Sequence, residues 1–176
     1  MRTKTNGPLS DEDTFLKKVQ ALQDKIWPKE ISRDLSYPHG EIAITDYLRR
    51  WAQKVPDRSA FIFYGYHLSY QKLDEYSDRC AAMLQANGIS KGDPVAVYMG
   101  SCPQFIIAFF GILKAGGIHV PVNPMFKEHE LLHELKDSGA TIVISEHGLV
   151  PLVRKVQADS CVRLVISTGL AEMIPT

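Results

Sequence analysis

The chain has 176 residues, 45% of them apolar, with 20 cationic residues balanced by 20 anionic ones. That length and composition suit one ordinary domain with a real core. Zero net charge and the lack of a basic stripe argue against a nucleic-acid partner, and no block of like charge marks an interaction tail.

The first residues, MRTKTNGPLSDEDTF, carry two early cations but no apolar run, so they do not read as a secretory signal. Ser10 can cap a helix, with Asp11, Glu12 and Asp13 favourable in its first turn. Phe15, Leu16, Val19, Leu22 and Ile26 then share one face, and Pro28 stops the helix. Residues 28–43 hold Pro28, Pro38 and Gly40 without a clear period and read as an extended arm. Residues 1–43 are therefore expected as a helix and arm preceding a domain over 44–176.

Thr45 is expected to cap the next helix, with Leu48, Trp51, Ala52 and Val55 as its stripe and Pro56-Asp57 at its end. Residues 59–70 alternate and turn at Gly65, as a hairpin does. Ser69 caps a long helix with Leu73, Tyr76, Cys80, Ala81 and Leu84 inward, and Gly88 closes it. The pattern then becomes strand and helix in turn. Strands are predicted over 94–99, 118–122, 141–145 and 162–167, and helices over 103–115, 127–138 and 149–157. The helix at 103–115 is apolar almost all round, so both of its sides should be covered by protein. Its apolar run, 105–113, is far shorter than the ~20 residues a membrane helix needs. The expected fold class is α/β: a mostly parallel sheet flanked by helices, with a β-hairpin and a helical N-terminal arm. Three scattered cysteines without a CxxC point to a reduced, cytoplasmic setting.

Four passages keep a common order and spacing: LSYQKLDEYSDRCAAML (68–84), GISKGDPVAVYM (88–99), SCPQFIIAFFGILKAGGIHVPVNP (101–124) and KEHELLHELKDSGATIVIS (127–145). Together they resemble the N-terminal part of an AMP-forming, or adenylate-forming, acyl-CoA synthetase. The ending VPVNP looks more like the fatty and aryl acyl-CoA ligases than the peptide-synthetase adenylation domains, and the chain as a whole most resembles the long-chain fatty-acid–CoA ligases. WPKEI (27–31) and YPHGEI (37–42) look like the leader of some of them. The resemblance implies a two-step reaction. A carboxylate attacks the ATP α-phosphate to give acyl-AMP and pyrophosphate, and CoA thiol then displaces AMP. It also implies ATP, Mg2+ and CoA for the complete enzyme, none of them held by this piece. The family's Ser/Thr/Gly-rich lysine loop is absent here: Ser167-Thr168-Gly169 is followed by Leu170.

The implied reading is an N-terminal fragment of a fatty acyl-CoA ligase, incomplete over 44–176 and inactive alone. It has no catalytic, cofactor-binding or metal-binding residue. Its partners would be the remainder of the synthetase chain and, in the complete enzyme, a fatty acid or other carboxylate. The other reading is a non-catalytic binding or assembly module that pairs with itself, as a homodimer, or with a full-length synthetase. A nucleotide-binding doubly wound domain in its own right would need a Gly-rich turn after its first strand, where this chain has Gly-Ser-Cys-Pro.

Several motifs have plainer readings. Gly116-Gly117 follows a helix and precedes a strand, so it is expected to cap and pack rather than cradle phosphate. The strand after it is expected to feed the sheet centre. His129-Glu130-Leu131-Leu132-His133 matches HExxH literally. Helical spacing, however, puts Leu131, Leu132 and Leu135 on the core face and both histidines on the polar side with Lys136, against a zinc site. Cys102, just before a helix, is expected to pack rather than react. Phe61, Phe63, Tyr64 and Tyr66 are expected to form a half-buried hairpin face rather than a binding edge. His39, His67, His119 and His147 share no spacing.

Overall fold

A computed structural model of the chain describes residues 11–174, so the capping role expected of Ser10 lies outside it. The chain divides into two compact units, 1–41 and 42–176.

The first unit holds α1 (Asp11–Ile26), with acidic residues in its first turn and Lys25 in its last, as the helix dipole favours. Trp27 follows it. The Trp27 indole N–H donates to the Ile31 carbonyl at 2.7 Å, and Arg33 pairs with Asp24 while lying 5.4 Å over the Trp27 ring. The expected extended arm contains tight turns at Pro28–Ile31 and Tyr37–Gly40, closed by i to i+3 hydrogen bonds of 3.1 and 2.9 Å.

The second unit opens with α2 (Ile44–Lys54). Thr45 is not its cap. The chain enters extended at Ala43, whose carbonyl accepts the Asp46 and Tyr47 N–H groups, so Thr45 already lies inside the first turn. Leu48 and Ala52 are buried, while Trp51 stays exposed. β1 (Ser59–Phe63) and β2 (Tyr66–Ser69) form an antiparallel hairpin, turned by Tyr64 and Gly65 at φ 44° and 81°. Phe61, Phe63 and Tyr66 are half-buried and Tyr64 is exposed at the tip, so the hairpin aromatics serve mainly as a packing face.

α3 (Tyr70–Ala86) starts on Ser69, whose hydroxyl accepts the Lys72 N–H at 3.2 Å. It ends in a Schellman motif. Gly88 N–H reaches the Gln85 carbonyl, Ile89 N–H reaches that of Leu84, and Gly88 takes φ 82°. From there the chain alternates: β3 (Pro94–Tyr98), α4 (Pro103–Lys114), β4 (Ile118–Val122), α5 (Glu128–Ser138), β5 (Ile142–Glu146), α6 (Val150–Gln157) and β6 (Leu164–Thr168), with 3-10 turns at His147–Leu149 and Leu170–Met173.

All four of these strands are parallel, in the order β4-β3-β5-β6. β4 therefore lies at the edge of the described sheet, not at its centre. The inner places go to β3 and β5, whose residues 95–98 and 142–145 are buried. Alternation sends Val95, Val97, Ile142 and Ile144 to the core under α3 and α4, and Ala96, Tyr98 and Val143 to the core under α5 and α6. The buried Tyr98 hydroxyl is satisfied by the Phe126 carbonyl at 2.7 Å.

None of the residues of α4 is exposed. It packs on α3 through Gly111, where an added Cβ would stand 2.6 Å from both Cβ and Sγ of Cys80. Lys114 locks the same pair of helices. Its almost fully buried ammonium donates to the Asp74 carbonyl at 2.9 Å, to Asp74 Oδ1 at 2.6 Å and to Asp78 Oδ1 at 2.8 Å. All three of its N–H donors are thereby used.

Candidate functional site

In a doubly wound sheet, ligands bind beyond the carboxyl ends of the strands, where the strand order reverses. Here the order reverses between β3 and β5. α4 leaves β3 toward one face of the sheet, and the 3-10 turn and α6 leave β5 toward the other. The residues at that end are Cys102, Gln104, Glu146, His147, Ser167, Thr168 and Glu172.

Cys102 occupies the N-cap of α4 and is 1% exposed. Burial raises its thiol pKa, and this outweighs the lowering by the Phe105 and Gln104 N–H groups. Those N–H groups are the first amides of the helix; that of Phe105 is taken by the Cys102 carbonyl at 3.1 Å, and the thiol itself makes no capping hydrogen bond. Its own S–H lies 3.8 Å from Met99 Sδ. Cys102 is thus a buried, packed thiol, as the sequence reading expects.

The loop after β6 is tied down from both sides. Gln104 Nε2 donates to the Gly169 carbonyl at 2.8 Å, Thr168 Oγ1 donates to Glu172 Oε2 at 2.8 Å, and His147 Nδ1 lies 3.2 Å from Ser167 Oγ. The Gly169 N–H first, then Thr168 and His147, hold the Glu172 carboxyl below its ordinary pKa. A carbonyl can only accept, so Gln104 must turn its nitrogen to Gly169. That leaves Oε1 buried without a partner. Between α3, α4 and this loop lies a cavity of about 230 Å³, lined by Tyr76, Cys80, Gln104, Ile144, Ile166 and Met173 among others. Cys80 is no nucleophile there, because burial pushes its thiol up to about 11. The slot is largely apolar, with the hydrogen-bonded Thr168–Glu172 pair in its wall.

The other sequence candidates fall elsewhere. Gly116 and Gly117 form a second Schellman motif, with N–H bonds to Leu113 and Ile112 and φ 86° at Gly116. A Cβ on Gly117 would sit 3.0 Å from the Asp93 carbonyl, so capping and close approach explain both glycines. His129 and His133 lie exposed on α5, while Leu131 and Leu135 are buried. Glu130 of that HExxH accepts the Lys127 N–H at 3.1 Å and so opens the helix. Among the described residues no three His, Cys, Asp or Glu side chains converge on a metal position. His67 Nδ1 lies 2.8 Å from Ser59 Oγ on the hairpin. His119 sits on β4 between Phe105 and Phe109, edge-on at 5.4 and 5.2 Å, with its Nε2 buried and unpartnered.

Sequence reasoning missed Gln104 and Lys114. A polar residue in an otherwise apolar helix was the signal for Gln104. The spacing of Lys114 from Asp74 and Asp78 holds no signal until α3 and α4 pack.

The AMP-binding enzyme family matches residues 48–174. The chain belongs to that family. As an AMP-binding family member it is 35% identical to the long-chain-fatty-acid–CoA ligase of Bacillus subtilis over 149 residues, 85% of this chain and 26% of that protein. Identity to the ligase of the same name from Yersinia pestis is 35% over 155 residues, covering 86% and 28% of the two. Among solved structures, the N-terminal domain of FACL13 from Mycobacterium tuberculosis superposes with a TM-score of 0.68 at 31% identity, covering 75% of this chain and 36% of that one. The chain thus spans about a quarter of the length of the curated relatives it matches. Among the described residues, no helix is long and apolar enough to cross a membrane.

Proposed function

We propose that this AMP-binding family chain is the opening segment of a cytoplasmic, ATP-dependent fatty acyl-CoA ligase. The observation that carries the reading is its 35% identity to a long-chain-fatty-acid–CoA ligase across 85% of its own length. The complete enzyme would join a fatty acid to CoA through an acyl-adenylate, with release of pyrophosphate and AMP. ATP, Mg2+ and CoA supply the activating phosphate, its charge compensation and the thiol acceptor.

The residues of this chain do not fit those groups. The Phe105 N–H at the start of α4 is taken by the Cys102 carbonyl, and Gly116-Gly117 closes a helix rather than opening one. What the chain contributes is a rigid α3–α4 layer and the sheet behind it, on which later segments would be mounted. Isolated, it is expected to release no pyrophosphate from ATP with any fatty acid. Fused to the remainder of the Bacillus subtilis ligase, in place of that protein's matching segment, it is expected to support acyl-CoA formation. Fatty-acid-dependent pyrophosphate release by the 176 residues alone would refute the first expectation. A folded fusion without ligase activity would refute the second.

A further inference from the structure

α5 carries a literal HExxH whose histidines the ligase reading leaves without a task. His129 and His133 are exposed and stand four residues apart on that helix. At ~3.6 residues per turn they lie ~40° apart around the axis, and side chains at this spacing have Cβ atoms about 5–6 Å apart. Both line one hollow of about 300 Å³, whose other walls are Phe126, Glu130 and Glu134. Two imidazoles and two carboxylates thus face it, without a lysine or arginine. Lys136 lines a second hollow that shares the two histidines.

The spacing is held by the fold itself. Leu131 and Leu135 anchor the helix in the core, and Glu130 opens it by accepting the Lys127 N–H at 3.1 Å. Gly139 closes it at φ 66°, and Glu128 pairs with Lys155 of α6. Two ligands fixed in advance escape the ordering cost of being brought together. Neutral imidazole suits Zn2+, Cu2+ and Ni2+, whereas Mg2+ and Ca2+ need oxygen ligands.

We propose that His129 and His133 form a two-ligand clamp for a divalent transition ion of the zinc and copper kind, with water filling the remaining coordination positions. The carboxylates of Glu130 and Glu134 contribute negative charge rather than ligation. A catalytic zinc is a different arrangement. It takes three protein ligands, and among the described residues no three such side chains converge. The clamp is also independent of the ligase reading, since neither histidine enters it.

Calorimetric titration of the 176-residue chain with ZnCl2, free of any polyhistidine tag, tests the clamp. One equivalent is expected to bind, and Cu2+ is expected to bind at least ~10-fold tighter, in the Irving–Williams order. His129→Ala and His133→Ala should each weaken zinc binding by at least ~10-fold, because a single imidazole loses the chelate. His67→Ala, at an exposed histidine of the hairpin, should leave it unchanged. Both clamp positions are exposed, so these variants should keep the urea midpoint of the metal-free chain. Zinc should raise that midpoint in the wild-type chain and not in His129→Ala, because unfolding destroys the helical spacing. Absence of zinc binding overturns the proposal, as does full affinity in the double variant. Displacement of zinc by an equal concentration of Mg2+ makes the hollow a carboxylate site and overturns it too. Half an equivalent per chain, with sedimentation as a dimer, overturns the one-chain clamp.

Discussion

Replacing Gly111 with alanine sets two effects of known size against each other. In a helix interior alanine is favoured over glycine by about 1 kcal/mol, because glycine loses more backbone freedom on folding. At this position, however, the new methyl would lie 2.6 Å from both Cβ and Sγ of Cys80 and 3.2 Å from the Ser77 carbonyl. Carbon atoms pack comfortably at roughly 3.5–4.0 Å, so about an ångström must be found. Sγ can rotate aside, but Cβ is fixed to the backbone of α3. The two helices must therefore separate, which also stretches the Lys114 bonds to Asp74 and Asp78. Overpacking of this kind costs roughly 1–3 kcal/mol before those bonds are counted. The net expectation is a loss of about 1–2 kcal/mol, and a Tm lowered by ~2–4 °C for each kcal/mol. Urea unfolding of both proteins measures it. Pairing Gly111→Ala with Cys80→Gly should recover much of the loss as a favourable coupling. An unchanged or higher midpoint for Gly111→Ala alone would refute the steric argument.

Two further expectations concern titratable groups. Burial holds the His119 imidazole below its ordinary pKa of 6.5, so the unfolded chain binds that proton more readily. The stability tied to neutral His119 is present above that value and lost as pH falls below it. His119→Phe should flatten the decline in urea midpoint between pH ~7.5 and ~5.5, and an unaltered slope would mean that the ring is hydrated in the fold. For the thiols, Cys161 is exposed, Cys80 half-buried and Cys102 buried. With its pKa raised to about 11, Cys80 is only about one part in a thousand thiolate at pH ~8. Iodoacetamide should modify Cys161 first and the other two only on unfolding, as peptide mass mapping would show. A Cys102 that reacts as fast as Cys161 would mean that the start of α4 does stabilise a thiolate.

Local rules were enough for much of the chain. Gly88 and Gly116 each follow an apolar helical period, and each closes a Schellman motif, because a C′ residue needs positive φ and glycine reaches it without strain. Short apolar strands alternating with helices required a parallel sheet, since parallel neighbours need a crossover. The histidines of HExxH fell on the polar side of α5 for the same geometric reason that buried Leu131 and Leu135. Four passages in a common order were enough to mark the family. Only the folded chain showed that β4 lies at the edge, because apolar runs reveal that strands are covered but not which strands are neighbours. Only the fold, too, set Gly111 against Cys80, Lys114 against two aspartates, and Gln104 against Gly169. These partners are dozens of residues apart, and no periodicity along the chain encodes a pairing that exists only once helices and sheet have packed.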